Sequence, residues 1–162
     1  MKRSLLLLSL LLLASLTAMA QLKGKATTQD LRDLVAPGKR VYVLFDDKTD
    51  DIDEKEEYIV EYLREDDRWM VTDKKEEADF ILYVEGYSKR VRRNSLTSKT
   101  YYMTPTIRRK DGTDVWTGET VYDWAHLGNG LRAVQGVSWR LVRALWLGLE
   151  KELGEDRVLL SI

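Results

Sequence analysis

The chain has 162 residues, with 26 Lys and Arg against 27 Asp and Glu, one histidine and no cysteine. A net charge of −1 lacks the basic footprint that non-specific nucleic-acid binding needs. The absence of cysteine excludes a disulfide scaffold, thiolate metal sites and thiol catalysis, and the length gives one ordinary domain with its own apolar core.

Lys2 and Arg3 precede "SLLLLSLLLLASLTAMAQ", an apolar run that ends in small residues at Ala18 and Ala20. This is the pattern of a secretory signal peptide. Its apolar part, residues 5–16, is shorter than the roughly 20 residues that span a bilayer. The expectation is cleavage between Ala20 and Gln21, a periplasmic or secreted product, and no integral membrane span afterwards. No Cys follows the run, so the lipid-attachment pattern of bacterial lipoproteins is missing. Without residues 1–20 the chain loses Lys2 and Arg3 and no carboxylate, and its net charge becomes −3.

Residues 21–39 read as an N-terminal segment with a short helix in "TTQDLRDLV", which Thr28 can cap, closed by the break at Pro37 and Gly38. "RVYVLF", residues 40–45, is continuously apolar and reads as a buried strand. An acidic stretch follows, "DDKTDDIDEKEE". Then "YIVEYL" places Tyr58, Ile59, Tyr62 and Leu63 on one helical face, with Asp50 or Asp53 as N-cap. "RWMVT" is a short strand and "DKKEE" a polar connection. "ADFILYVEGY", residues 78–87, is apolar on both faces through Val84, which suits a central strand. A basic tip follows with Lys89, Arg90, Arg92, Arg93 and Lys99. In "YYMTPTIRR" the period of two puts Tyr101, Met103 and Ile107 on one face, and Pro105 marks an edge or a bulge.

Asp111 and Gly112 lie between two β-favouring runs and predict a hairpin, because both positions can take positive φ. The next strand, "VWTGETVYDW", sends Trp116, Thr120, Tyr122 and Trp124 to one side and Val115, Thr117, Glu119 and Val121 to the other, with Gly118 at a bulge or close approach. From Gly130 to Leu153 the chain is one helix, capped by Asn129 and closed by Gly154. Leu131, Val134, Val137, Leu141, Ala144 and Leu145 form its stripe, widened by Trp139, Val142, Trp146 and Leu149. That arc exceeds what one sheet face requires, so a second surface of the helix is covered by the first helix or by a partner. Trp139, Arg140, Arg143 and Trp146 are the candidate partner-binding residues, because Trp and Arg dominate interface energies. "RVLLSI" returns as a terminal strand. The order β-α-β-β-β-β-α-β gives an α+β domain over residues 40–162: a single, mostly antiparallel or mixed sheet with two main helices on one face.

Chemical motifs are weak. "HLGNGLRA" mimics a dinucleotide fingerprint at Gly128, Gly130 and Ala133, but the second parallel strand with its acidic end is missing, and no cofactor is expected. His126 and Asp123 offer a base and an orienting carboxylate without a nucleophile elbow, since Arg140 stands where "GVSWR" would need a second Gly. Asp46, Asp47, Asp50, Asp51, Asp53 and Glu54 lack the D-x-D-x-D-G spacing of a calcium loop and read as a solvated helix start, with no metal assigned.

"EADFILYVEGYSKR" followed by "YYMTPTIRRKDGTDVWTGETVYD" resembles the paired strands of small bacterial envelope domains, among them curli-secretion lipoproteins and lipoprotein activators of penicillin-binding proteins. Ala78, Asp79 and Gly86 match the first element of that pattern, and Asp111, Gly112, Val115 and Trp116 the second. The lipidated Cys of those families is absent, and so is the helix they carry where this chain has "DKKEE". The resemblance implies an α+β binding or assembly module of the cell envelope, without an active site, working on an envelope protein partner or through self-association. The alternatives are a small envelope hydrolase acting on cell wall or glycan, and a peripheral membrane-surface protein that uses the basic residues Lys89, Arg90, Arg92, Arg93 and Lys99. Amino-terminal sequencing of the exported protein is expected to begin at Gln21; an intact Met1 to Ala20 on exported material overturns the signal-peptide reading.

Overall fold

The computed structural model describes residues 27–48, 55–93, 96–126 and 130–154. The signal peptide, the caps assigned to Asp50, Asp53 and Asn129, and the terminal strand in "RVLLSI" lie outside the described residues. The chain builds α1 (Thr28–Leu34), β1 (Arg40–Asp47), α2 (Lys55–Asp66), β2 (Met70–Val71), β3 (Phe80–Arg93), β4 (Leu96–Arg108), β5 (Asp114–Thr117), β6 (Val121–His126) and α3 (Gly130–Leu153). A short 3₁₀ turn, Lys75–Glu77, fills the polar connection before β3.

The N-cap of α1 is Thr27, one residue before the expected Thr28. Thr27 Oγ1 accepts the Asp30 N–H at 3.1 Å and Asp30 Oδ2 accepts the Thr27 N–H at 3.0 Å, a reciprocal capping box that satisfies two N-terminal donors at once. Gly154, at φ 67, closes α3 in the left-handed region that a helix C-terminus favours.

The strands form one six-stranded sheet in the order β2-β1-β3-β4-β5, with β6 also on β4. β1 runs parallel to β2 and β3, and the remaining pairs are antiparallel. The sheet is mixed, as the sequence reading expects, and α2 supplies the crossover that a parallel β1/β3 pair requires. Val41, Val43, Phe80, Leu82, Val84, Met103 and Ile107 face the helices. Against them lie Ile59 and Leu63 of α2 and Val134, Val137, Leu141 and Leu145 of α3, none more than 1 % exposed. Each such side chain contributes about 1.5–3 kcal/mol through burial. Leu31 and Val35 of the α1 segment join the same cluster, so all three helices share one face of the sheet.

The fifth strand of the sequence reading is two strands in the structure. β5 pairs with the end of β4 and β6 with its beginning, while residues 118–120 leave the ladder. The break lies beside Pro105, whose carbonyl accepts the Gly118 N–H at 2.9 Å. The missing proline N–H therefore faces a gap instead of a continuous strand, which explains its place inside the sheet. The break also reverses the parity of side chains. Trp116 packs on the helix side, where a Cβ on Gly148 would meet its ring at 2.7 Å. Tyr122 and Trp124 point to the opposite face, so the expected grouping of all three is corrected.

The hairpin at Asp111 and Gly112 is present with a three-residue loop. The Gly112 N–H reaches the Arg109 carbonyl, the Arg109 N–H reaches the Thr113 carbonyl, and Asp111 Oδ1 accepts the Thr113 N–H at 2.8 Å. Of the pair, Gly112 alone has positive φ, at 88. This matches a type I turn followed by a left-handed glycine.

At Gly86 the backbone of β3 meets the Phe45 ring, and a Cβ there would lie 2.3 Å from its Cζ. Replacement Gly86→Val is expected to lower stability by about 1–3 kcal/mol through overpacking. Urea unfolding checks this as a reduced midpoint at unchanged slope.

Candidate binding surfaces

The two groups of residues singled out from the sequence fall at different places. On α3 the structure separates the tryptophans. Trp146 is buried, with its ring centroid 4.3 Å from that of Trp69 and the Arg68 guanidinium 4.5 Å from its own centroid. Arg68 in turn pairs with Asp66 at 2.9 Å and Glu150 at 3.5 Å. Trp69 stands edge-on to Phe80 at 4.8 Å and donates its Nε1–H to the Val35 carbonyl. Trp146 is thus a core side chain that ties α3 to the segment joining α2 and β2. The second covered surface expected of α3 is covered from within the chain by α2.

Trp139 is different. It is 48 % exposed on the outer arc of α3, with the Arg143 guanidinium 5.3 Å from its ring and Leu147, 44 % exposed, on the same arc. Arg140 leans the other way, its Nε 3.5 Å from Asp123 Oδ2. Gly136 is what lets Asp123 approach: a Cβ there would lie 2.3 Å from the same oxygen. Asp123 is therefore bound to Arg140. His126 ends β6 opposite Ser98.

The basic residues lie along the distal half of the β3/β4 ribbon. Lys89 sits on the face without helices, 5.4 Å and 5.5 Å from the Tyr87 and Tyr102 rings. Arg90 and Lys99 are cross-strand partners of the opposite parity, and Arg92 and Arg93 occupy the register opposite Thr97 and Leu96. The ribbon therefore carries cations on both faces.

Sequence reasoning missed the aromatic row beside them. Tyr87, Tyr102 and Tyr122 are direct neighbours across β3, β4 and β6. The first two rings stack at 4.8 Å and 9°, and the second and third lie 5.9 Å apart. Tyr122 is 58 % and Trp124 54 % exposed. Periodicity within each strand marks these residues only as outward-facing; their convergence depends on the cross-strand register.

Closer to the centre of the same face, Asp46 Oδ2 accepts Lys48 Nζ at 2.6 Å and the Tyr83 hydroxyl at 2.5 Å. Arg108 lies over the Tyr83 ring at 4.0 Å and pairs with Asp114. The rest of the acidic stretch, from Asp50 to Glu54, is outside the described residues. Among the described residues no group of three or more His, Asp or Glu is placed to hold a metal, and no helix is long and apolar enough to cross a membrane. Two clefts, one along Arg40, Met70, Thr72 and Glu77 and one along Val60, Glu61 and Arg64, contain none of the candidate residues.

No family model and no curated protein matches the chain. Several solved structures resemble it. A PelC dodecamer from Paraburkholderia phytofirmans is 16 % identical, with a TM-score of 0.49 over 69 % of this chain and 90 % of that one. Lipoprotein GNA1162 from Neisseria meningitidis is 11 % identical, at 0.44 over 71 % and 99 %. A minor lipoprotein from Acinetobacter baumannii is 15 % identical, at 0.45 over 72 % and 94 %. Two of these three are lipoproteins by name. At such identities the likeness concerns the type of fold alone.

The Lys48 hydrogen bond, followed by that of Tyr83, holds the Asp46 carboxyl below its ordinary value. The same contact to Asp46 raises Lys48 and Tyr83 above theirs. A carboxyl depressed by folding stabilises above the ordinary carboxylate range and loses that contribution as pH falls through its folded value. Raised Lys48 and Tyr83 stabilise below their ordinary values and lose the contribution as pH rises through their folded ones. Asp46→Asn is therefore expected to flatten both the acid limb, below about pH 4, and the alkaline limb, above about pH 10, of a stability profile measured by denaturant unfolding. The effect is small because the groups are solvated.

Proposed function

We infer that the chain is a non-catalytic extracytoplasmic protein, periplasmic or secreted, that works by holding a protein partner or a second copy of itself. The outer arc of α3 is the surface for this contact. One observation carries the reading: Trp139 is half exposed on a helix whose other large apolar residues are mostly buried, and it stands beside Arg143 and Leu147. An indole left in water on a rigid helix, with a guanidinium against its ring, has the composition of an interface anchor. Arg140 borders the arc and is tied to Asp123, which fixes that edge. Trp146 supports the surface from beneath, as part of the core.

The signal-peptide pattern supports the extracytoplasmic setting, and the resemblance to envelope binding domains supports a role without chemistry. In the hydrolase alternative His126 is the base, and Asp123 would have to orient it. That carboxylate pairs with Arg140 instead, which favours the binding reading.

Trp139→Ala and Trp146→Ala separate association from stability. Trp139→Ala is expected to leave thermal unfolding nearly unchanged and to abolish self-association, or the capture of a partner from envelope extract. Trp146→Ala is expected to cost about 3–5 kcal/mol of stability. Unimpaired association of Trp139→Ala, measured by sedimentation and pull-down, overturns the interface.

A further inference from the structure

α2 and α3 lie side by side on one face of the sheet, α2 over β1 and β2 and α3 over β4 and β6. Each returns over the strand that precedes it, β1 for α2 and β6 for α3, and both of those strands run parallel to β3. The two helices are therefore parallel neighbours. Arg68 and Trp69, just past the end of α2, meet Glu150 and Trp146, so the preceding turns of α2 stand level with Trp139 and Arg143.

Both helices bury one side and turn the other away from the sheet. On α2 Ile59 and Leu63 are buried, while Glu57, Glu61 and Glu65, at i, i+4 and i+8, are exposed on the opposite side. On α3 Val137, Leu141 and Leu145 are buried, while Arg132, Trp139 and Arg143 line up on the outer arc. Residues 56–65 hold four glutamates against Arg64, which pairs with Asp73 at 3.2 Å, whereas residues 130–149 hold three arginines and no carboxylate. The outer surface of the helix layer is thus bipolar, an acidic strip beside a cationic one. Shape follows the same division. Glu57, Val60, Glu61, Arg64 and Glu65 line a cleft of about 420 Å³, and the cationic strip carries the projecting indole of Trp139. Two such layers fit each other in one orientation. A twofold axis that runs between them along the helices lays α2 of each copy on α3 of the other and keeps their levels, whereas an axis across the helices sets carboxylate against carboxylate.

We propose that the chain forms a twofold-symmetric dimer through this layer, in which Trp139 of each copy enters the α2 cleft of the other and Arg143 meets Glu61. The contact rests on the reading of the α3 arc as a surface for association, and it names the partner as a second copy. Inside the cleft the indole exchanges water for Val60 and for the apolar stems of Arg64 and the glutamates. Symmetry makes every such contact twice. The overlap is limited by α2, which has 12 residues and is about 18 Å long, so the dimer is weak and dissociates on dilution.

The test is sedimentation equilibrium of the exported protein over a range of concentrations. A reversible monomer–dimer equilibrium is expected, shifted toward monomer by salt. Glu61→Arg and Arg143→Glu are each expected to weaken the dimer about tenfold, because symmetry turns two attractive pairs repulsive at once, and the two substitutions combined in one chain are expected to restore it. Lys89→Gln, on the helix-free face of the sheet, associates as the wild type, and thermal unfolding of all these variants stays nearly unchanged. A wild type that remains monomeric overturns the dimer; capture of an envelope protein that Trp139→Ala abolishes would then leave the α3 arc standing with another partner. Dimerisation lost in Trp139→Ala but untouched in Glu61→Arg overturns α2 as the counterpart and leaves the arc standing as well. Dimerisation untouched in both overturns the arc together with the dimer. A combined variant no better than the single ones, or assembly beyond two copies, overturns the twofold arrangement.

Discussion

The antiparallel pairing of β3 with β4, continuous from Ile81 and Arg108 to Arg93 and Leu96, is the constraint on which the rest of the molecule depends. One pair of strands passes through two environments. In its proximal part every second residue is covered by α2 and α3, and β1 closes the outer edge as far as Gly86. Beyond that point β6 alone among the described strands extends the ribbon, on the far side of β4. The sequence changes with the environment, from the apolar run Phe80 to Val84 to a stretch of cations and hydroxyl side chains. Lys89 and Arg90 on the overhanging strand also discourage edge-to-edge pairing with another sheet, because a charged edge resists being covered.

What the sequence reveals follows from what periodicity encodes. The apolar runs at residues 40–45 and 80–84, the helical stripe of α3 and the turn at Gly112 are local signals, and each forms the expected element. Parity across the β5/β6 break is not local in that sense. "VWTGETVYDW" alternates as if unbroken, and the interruption comes from Pro105 on another strand, which offers Gly118 a carbonyl and no donor. The aromatic row is illegible for the same reason, because Tyr87, Tyr102 and Tyr122 are 15 and 20 positions apart and meet only through register. On α3 the helical wheel places Trp139 and Trp146 on one flank. Their separate fates depend on tertiary packing: Val142 and Trp146 are buried, Trp146 against Trp69 and Arg68 of the segment after α2, while Trp139 stays half exposed.

The buried side of that flank carries a cost. Among the described residues Trp146 Nε1 and Ser138 Oγ are buried without a hydrogen-bond partner. An unsatisfied buried polar group costs about 1–3 kcal/mol. Trp146 offsets this through its contact with Trp69 and through the cation above its ring, since aromatic pairs add about 0.5–1.5 kcal/mol beyond area burial and a desolvated cation–π contact up to about 2. Arg68 can serve as that cation because Asp66 and Glu150 hold it in place from either side. A residue that is energetically expensive to bury and is buried all the same marks packing as the stronger demand at this position.

Charge obeys the same division of labour. A net charge of −1 describes the whole chain and conceals how it is distributed. A strand rises about 3.3 Å per residue, so the seven residues from Gly86 to Arg93 carry the ribbon roughly 23 Å from its root. The screening length at physiological salt is about 8 Å. Across almost three such lengths Asp46 and Asp47, at the end of β1, exert little pull at the far end of the ribbon, and Asp46 is in addition engaged by Lys48 and Tyr83. The potential a partner meets at the ribbon is therefore set by the ribbon itself, and a chain that is near neutral overall presents a locally cationic surface there.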